Sequence, residues 1–460
     1  MAITRRQFLA ASAALAVSSQ LSFAEVLTAD GFIEVRAQQK VLGLLEDGAG
    51  QTAAWVLGPG PQPAVIRGRQ GEELKLRFIN DLPHEIWLHF FGVRGPSDLM
   101  TINVPPGADD AVDCVFTPPD AGTFWIGPIA DQSRARDMGL YAVLIIDEAD
   151  ALTDLAELVL VLDDWKLDEG GAVEGNFGDV ETMVGEGRLG NWFTGNNAYR
   201  PRLPLKRGVF TRLRLLNSAN VRVMNLLFKG DDPLLIARDG QPMKPASLDS
   251  KALVLAPGQR ADLLINPDGG DIRVALDLFE DVVEIAYLIP EGASAAPPAI
   301  ADNFALPPNP VSPLGNLAEA RTISVVLEGG IKGGLTTARW NGAERDLRAL
   351  LEAGKGWAMS GVAGPDPEPL FSATKGETIL LDIDNRTAFA QPLHLHGHVW
   401  QVIEEEPSGL WMDTVVVPAG EKVSLALTAD NLGLWALHAL VAERADGGMM
   451  RSFSVIDSVP

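Results

Sequence analysis

Three of the six histidines stand at alternate positions in Gln391-Pro392-Leu393-His394-Leu395-His396-Gly397-His398. A fourth lies in Gly433-Leu434-Trp435-Ala436-Leu437-His438-Ala439-Leu440, and His89 lies in Leu88-His89-Phe90-Phe91. Alternate residues of a strand share one face, so the first stretch predicts three imidazoles side by side. Neutral imidazoles gathered in this way suit copper or zinc. A thiolate partner is missing from these stretches. The single cysteine, Cys114, sits in the alternating run Ala111-Val112-Asp113-Cys114-Val115-Phe116 and reads as a buried, inert thiol. One cysteine also rules out an intrachain disulfide. His84, in Leu82-Pro83-His84-Glu85, reads as a solvated loop residue.

The elements that must hold these residues are short β-rich runs between Gly and Pro. With 46 Gly and 31 Pro the pattern is all-β, in sandwiches or barrels, and Leu347–Ala353 is the one short helix expected. A phrase recurs near residues 73, 210 and 376: a strand, an Asn or Asp turn, then a lead into a second strand. The strands are Glu73–Ile79, Arg212–Leu216 and Thr378–Ile383, and each copy ends in a Pro/Gly turn at Pro105–Asp109, Pro257–Asp262 or Pro418–Glu421. Three copies predict three similar domains, at 25–150, 151–295 and 319–460, with a Pro/Ala-rich linker at 296–318.

The formal charge is −24, which argues against nucleic acid and anionic membrane surfaces as partners. Thr4-Arg5-Arg6-Gln7-Phe8-Leu9, an Ala/Leu run and Ser22-Phe23-Ala24 read as a twin-arginine signal peptide over 1–24, predicting export to the periplasm. No later stretch is apolar and long enough to span a membrane.

Ala261-Asp262-Leu263-Leu264 after Pro257-Gly258-Gln259-Arg260, Trp411-Met412-Asp413-Thr414-Val415-Val416-Val417-Pro418 and Gly448-Met449-Met450 resemble signatures of the three-domain multicopper oxidases of the laccase kind. The resemblance covers essentially all of the chain after residue 24. It implies an all-β fold of three cupredoxin-like Greek-key β-sandwich domains. It also implies a blue-copper centre and a three-copper cluster, and here the chain departs from the family. Ala439 stands at the thiolate position, Gln391 and Arg444 at the two blue-copper imidazoles, and Met449 alone remains there. Of the eight cluster histidines four are kept, His89, His394, His396 and His438, while Phe91, Gly127, Ile129 and Leu440 replace the rest. By the family pattern His89 and His394 would share one copper, and His396 and His438 would be two ligands of another. Four-electron oxygen reduction by this route is therefore not expected. His398 is no ligand in the pattern and reads as structural, and Trp87, Trp125, Trp400 and Trp435 read as core aromatics.

Two readings of the four histidines stay open: one residual copper or zinc site, or a vestigial polar cluster satisfied by water or by an acid such as Asp98 or Glu443. The first function they leave is a non-catalytic periplasmic binding or scaffold protein with protein partners, like a copper-free branch of the family that serves in cell division. The second is a metalloprotein in copper handling or mononuclear oxidation.

Overall fold

The computed structural model describes residues 28–457 except 49, 151, 153, 154, 294–303 and 405–407. The signal segment 1–24 and the first part of the 296–318 connection lie outside the described residues. The chain forms three cupredoxin-like Greek-key sandwiches. In the first, a four-stranded sheet ordered Thr52–Leu57, Ile33–Leu42, Leu74–Asn80, Gly107–Phe116 packs on a five-stranded one ordered Ala64–Arg69, Ala142–Asp147, Gly122–Pro128, Ile86–Phe91, Thr101–Val104. The second pairs sheets of six and five strands, and the third two sheets of five. One apolar cluster is continuous through the first and third sandwiches, whereas the second has a leucine-rich core of its own.

The repeated phrase has a repeated structure. Its strand lies parallel to the first strand of each sandwich, through Ile33/Leu76, Leu158/Leu213 and Ile323/Leu381. It lies antiparallel to the strand after the Pro/Gly turn, through Leu76/Cys114, Leu213/Leu263 and Leu381/Leu425. The turn asparagine is fully buried in every copy. Asn80 Nδ2 donates to the carbonyls of His84 and Val104 (2.8 and 3.0 Å), and its Oδ1 accepts from Leu82 N (3.0 Å). Asn217 binds Arg222 O, Leu255 O and Ala219 N in the same way (2.8, 2.8 and 3.0 Å). Asn385 binds Phe389 O, Val417 O and Thr387 N (2.8, 3.0 and 3.1 Å). A primary amide offers two donors and an acceptor on one short stem, so each clasp needs asparagine.

Leu347–Glu352 is helical, capped by the Asp346 side chain accepting from Ala349 N. The expectation of a single short helix is corrected, because Gln132–Asp137, Val180–Val184 and Ala442–Asp446 are helical as well. Each is a turn or so long, too short to show an apolar period, and is held by packing rather than by propensity. Residues 304–318 carry one short 3₁₀ turn and are otherwise irregular, but they are anchored. Leu306 is buried, Asn309 exchanges hydrogen bonds with Ala121 (both 2.9 Å), and its Nδ2 also reaches Gly240 O at 3.1 Å.

Arg260 of the second sandwich joins all three. It is fully buried, its Nε donates to Thr123 O of the first sandwich (3.1 Å), and its Nη1 donates to Asp413 Oδ1 of the third (3.0 Å). Cys114 is buried on the strictly alternating strand expected for it, and burial pushes its thiol up to about 12.

Candidate metal centre

His89 lies on the strand Ile86–Phe91, opposite Thr101 on one side and Gly127 on the other. His394, on Gln391–Leu395, lies opposite His438 on Gly433–Ala439. These pairings bring His89, His394, His396 and His438 together between the first and third sandwiches, each 3% exposed or less. His398 does not join them. The strand ends at Leu395, and Gly397 turns the chain at φ +65°, where a Cβ would meet the Trp435 ring at 2.4 Å. The expected row of three imidazoles on one face is therefore broken after His396. His398 packs near Trp435 and Phe453, donates Nδ1–H to His396 O (3.1 Å) and accepts from Asn431 N (3.3 Å), a structural role.

The hydrogen bonds fix most proton positions. His438 Nδ1 donates to its neighbouring carbonyl, Ala439 O (2.7 Å), which leaves Nε2 with a lone pair. His396 Nε2, 2.9 Å away, must then donate to it. His394 Nδ1 donates to the acceptor-only carboxylate of Asp413 and also lies near Thr414 Oγ1 (both 3.1 Å), so its Nε2 presents a lone pair. His89 Nδ1 bonds Thr101 Oγ1 (2.8 Å) and its ring stacks on His396 at 3.6 Å. The Nε2 atoms of His89 and His394 are buried and have no partner, and candidate ligand atoms of His89, His394 and His396 lie within 4.8 Å of one another. The two histidines that pair with each other are satisfied. The other two are not, and unsatisfied buried nitrogens are costly unless something binds them.

Three of the four imidazoles, those of His89, His396 and His438, are held uncharged. Burial, then the nearby His394 and His438, holds His89 well below its usual range. Burial, then His89 and His438, does the same to His396. His438 is pushed down to about 3, by burial first and His394 next. Neutral imidazoles are what a metal needs.

Apolar side chains fill the rest of the cluster. The Phe91 ring stands 4.9 Å from His89, 5.5 Å from His394, 6.1 Å from His396 and 6.2 Å from His438, and stacks on Trp125 at 3.9 Å. Trp125 folds over Gly127, where a Cβ would meet the indole at 2.2 Å. Leu440 joins Phe91 and Trp125 in one buried cluster with Val65, Tyr141 and Val143. Each large side chain buried here contributes about 1.5–3 kcal/mol. A coupled pair of coppers does not fit this plug. One ion between His89 and His394, with His396 within reach, fits the unpartnered nitrogens.

The blue-copper position fits no copper at all. Ala439 is fully buried and offers no lone pair. Arg444 Nη1 donates to Gln391 Oε1 (2.9 Å) and Ala390 O (2.7 Å), and the guanidinium lies over Phe389 and Trp357 at 4.9 and 5.2 Å. Burial lowers Arg444 to about 10, so it remains a cation at neutral pH. Met449 is core filling.

The supporting groups were largely missed by sequence reasoning. The acid beside the histidines is Asp413, whereas Glu443 bonds Ser133 Oγ on the far side of its own helix. Burial works to raise the Asp413 carboxyl, but Arg260 and then His394 outweigh it and hold it below the usual range. The signal for Asp413 was its place in Trp411-Met412-Asp413-Thr414. Trp125, Trp400 and Trp435 are core aromatics, but Trp87 is 40% exposed at the surface of its strand. His84 is half-buried against Trp55 (4.9 Å) rather than freely solvated.

Sandwich architecture and the histidines that remain in three of the four family motifs define a multicopper oxidase fold. Multicopper oxidase family patterns match residues 159–273 and 343–459, together half of the chain, which belongs to that family. It is 28% identical over 419 residues to the multicopper oxidase MmcO of Mycobacterium tuberculosis, spanning 83% of this chain and 78% of that protein. It is 27% identical over 301 residues to cell division protein FtsP of Escherichia coli, spanning 59% of this chain and 62% of FtsP. The crystal structure of a multi-copper oxidase from Pseudomonas thermotolerans superposes with a TM-score of 0.78 at 27% identity, covering 92% of this chain and 98% of that one. Among the described residues no helix is long and apolar enough to cross a membrane.

Proposed function

We propose that this chain is a non-catalytic member of its family, a periplasmic binding or scaffold protein serving cell division or envelope maintenance through protein partners. The observation that carries this is the refilled electron-entry site. A guanidinium bonded to an amide, beside an alanine methyl, cannot accept an electron from a substrate or hold a copper that does. The likeness to FtsP supports a role in cell division, and the twin-arginine segment supports export. One surface feature suits a binding role. Phe279, 89% exposed at a hairpin tip among Asp277, Glu280 and Asp281, is held at φ +69°, a conformation bulky residues rarely adopt.

The test is whether function survives without the histidines. A strain lacking the gene should show a division or envelope defect that the His89→Ala, His394→Ala chain complements as well as the natural one. Oxidase turnover of a phenol or of cuprous ion, above that of free copper, would sink the proposal.

A specific observation favours a second reading, the metalloprotein. His89 Nε2 and His394 Nε2 are the unpartnered nitrogens a single copper or zinc would use. His394 is oriented for it by Asp413, in the manner of a carboxylate behind a metal-bound imidazole. A copper held there would supply one-electron redox chemistry. Elemental analysis after exposure to copper and zinc distinguishes the readings: about one ion per chain, lost in the double variant, supports the metalloprotein. Less than about a tenth of an equivalent, with no rise in Tm on adding metal, retires it.

A further inference from the structure

A chain of buried side chains crosses back and forth between the first and second sandwiches. Asp163, on the second sandwich's strand Ala156–Trp165, has Oδ2 2.8 Å from the phenol oxygen of Tyr141, which precedes the first sandwich's strand Ala142–Asp147. The same phenol oxygen lies 3.1 Å from Asn197 Oδ1 of the second sandwich. Asn197 Nδ2 then donates to Pro61 O of the first (2.9 Å). Asn197 is presented by a tight turn, Gly195–Ala198, closed by two backbone hydrogen bonds of 3.0 Å. Asn196 and Asn197 stand there at φ +51° and +56°, which asparagine tolerates better than most residues.

The hydrogens of this chain can be counted. A carbonyl only accepts, so the Asn197 amide must turn its nitrogen to Pro61 and its oxygen to Tyr141. The phenol thus stands between two oxygens with a single hydrogen. When Asp163 is ionised both neighbours only accept, and one of the two close contacts has no hydrogen in it. When Asp163 is protonated, it donates to the phenol, the phenol donates to Asn197 and Asn197 donates to Pro61. Every link is then filled. Asp163 Oδ1 accepts from Asp164 N (2.9 Å) in either state.

No cation holds the Asp163 charge. The charged groups that face it are Asp164 on its own strand, and Arg136 and Asp137 on the helix Gln132–Asp137. Asp164 is bound to Arg222 (2.6 Å), Asp137 to Arg188 (2.7 Å), and Arg136 donates to Leu440 O (2.8 Å). The Ser218 hydroxyl beside it gives its hydrogen to Leu162 O (3.1 Å). Burial first, and Asp164 next, raise Asp163 to about 7. We propose that a proton on Asp163 latches the first sandwich to the second, and that the latch opens as pH rises past neutrality. The two sandwiches are joined elsewhere by Arg212 to Glu148 (2.6 Å) and Thr123 to Asp262 (2.7 Å). Opening therefore frees the turn Gly195–Ala198 and the chain around Pro61 without parting the domains. An exported chain, on the reading above, meets the pH of its surroundings directly, and this joint would respond to it.

The folded chain holds this proton up to about pH 7, whereas the unfolded chain loses it near about 3.9. The contribution to stability is complete below the lower value, falls about tenfold per unit above it, and is gone past the upper one. Infrared spectroscopy and urea unfolding of the full chain, natural and Asp163→Asn, between about pH 5 and 8, test this. The substituted amide keeps an N–H for the phenol and cannot ionise. At the acid end the natural chain should show a protonated-carboxyl stretch that the variant lacks, and at the alkaline end that band should be gone. The folding constant of the natural chain relative to the variant should drop about tenfold per unit up to neutrality and then level off. Hydrogen exchange at residues 195–198 should quicken with pH more in the natural chain than in the variant. Should Asp163→Asn fail to fold, Tyr141→Phe replaces it, and the band should shift as the acid loses its acceptor. A band that neither substitution alters, or a relative folding constant that is flat or rises with pH, would overturn the proposal.

Discussion

At positions 391, 439 and 444 the third sandwich has exchanged every strong copper ligand for a group that bonds or packs against its own neighbours. Arg444 Nη1 donates to Gln391 Oε1 and to the Ala390 carbonyl, and Ala439 fills with a methyl. At 89, 394, 396 and 438, one strand away, the imidazoles remain and only the space around them has been filled, by Phe91, Trp125 and Leu440. The first region has gained a charge of the wrong sign for a metal. The second holds two lone pairs with no partner. Losing a ligand set and losing a binding site are therefore different events. A site is closed only when the replacing groups satisfy the polar atoms left behind, and at the histidines that has not happened.

The largest expected effect on this comparison comes from Asp413, which serves one region while holding the domains together. Asp413→Ala leaves Arg260 buried without its carboxylate and His394 Nδ1 without its acceptor, and should cost about 3–5 kcal/mol in urea unfolding. A cost below about 1 kcal/mol would mean that Arg260 rebonds to Asp239, 3.5 Å away. Next, Arg444→Leu strands the Ala390 carbonyl and Gln391 Oε1 at a cost of about 2–3 kcal/mol. It should leave metal uptake at the histidines unchanged, and altered uptake would break the claimed independence of the two regions.

Phe91→His is the sharper variant. It removes a stacked ring from the plug, destabilising by about 1–3 kcal/mol, yet should tighten copper or zinc binding at least about tenfold by adding a ligand. Weaker metal binding would show that the ring shapes the site rather than obstructs it.

The smallest effect is one of pH. His438 is depressed to about 3 from an unfolded value near 6.5. Its contribution is complete above pH 6.5 and is lost as pH falls toward 3, by about 1.4 kcal/mol per unit. The stability of the natural chain relative to His438→Leu, from urea melts between pH 6 and 4 without metal, should fall at that rate. A flat difference would place the proton elsewhere in the cluster.

Much of this was legible because copper chemistry is carried by residue identity. Ala439 and Arg444 cannot be ligands in any geometry and Gln391 offers only a weak amide oxygen in place of an imidazole, and the period-two runs and the recurring turn asparagines announce sandwiches. What residue identity does not carry is which hydrogen bond each imidazole makes. His396 and His438 look no different in sequence from His89 and His394, yet the first two satisfy each other through a tautomer set by the Ala439 carbonyl. The turn at Gly397 that removes His398 depends on Trp435, far along the chain. The folding of Trp125 over Gly127 makes a missing ligand into a packing requirement, and it too is invisible until the strands are paired. The one-turn helices at 132–137, 180–184 and 442–446 escaped for a related reason, since only their mutual packing defines them.

The buried asparagines at 80, 217 and 385 have a consequence for how such a chain can change over descent. Each fastens its turn to backbone carbonyls and amides of its own sandwich, so no copy borrows that bond from another or from a metal. A module that closes itself can be duplicated without its neighbours. It can also shed its original chemistry, one histidine at a time, without losing its shape. Three intact clasps above a half-dismantled copper site are what that history would leave behind.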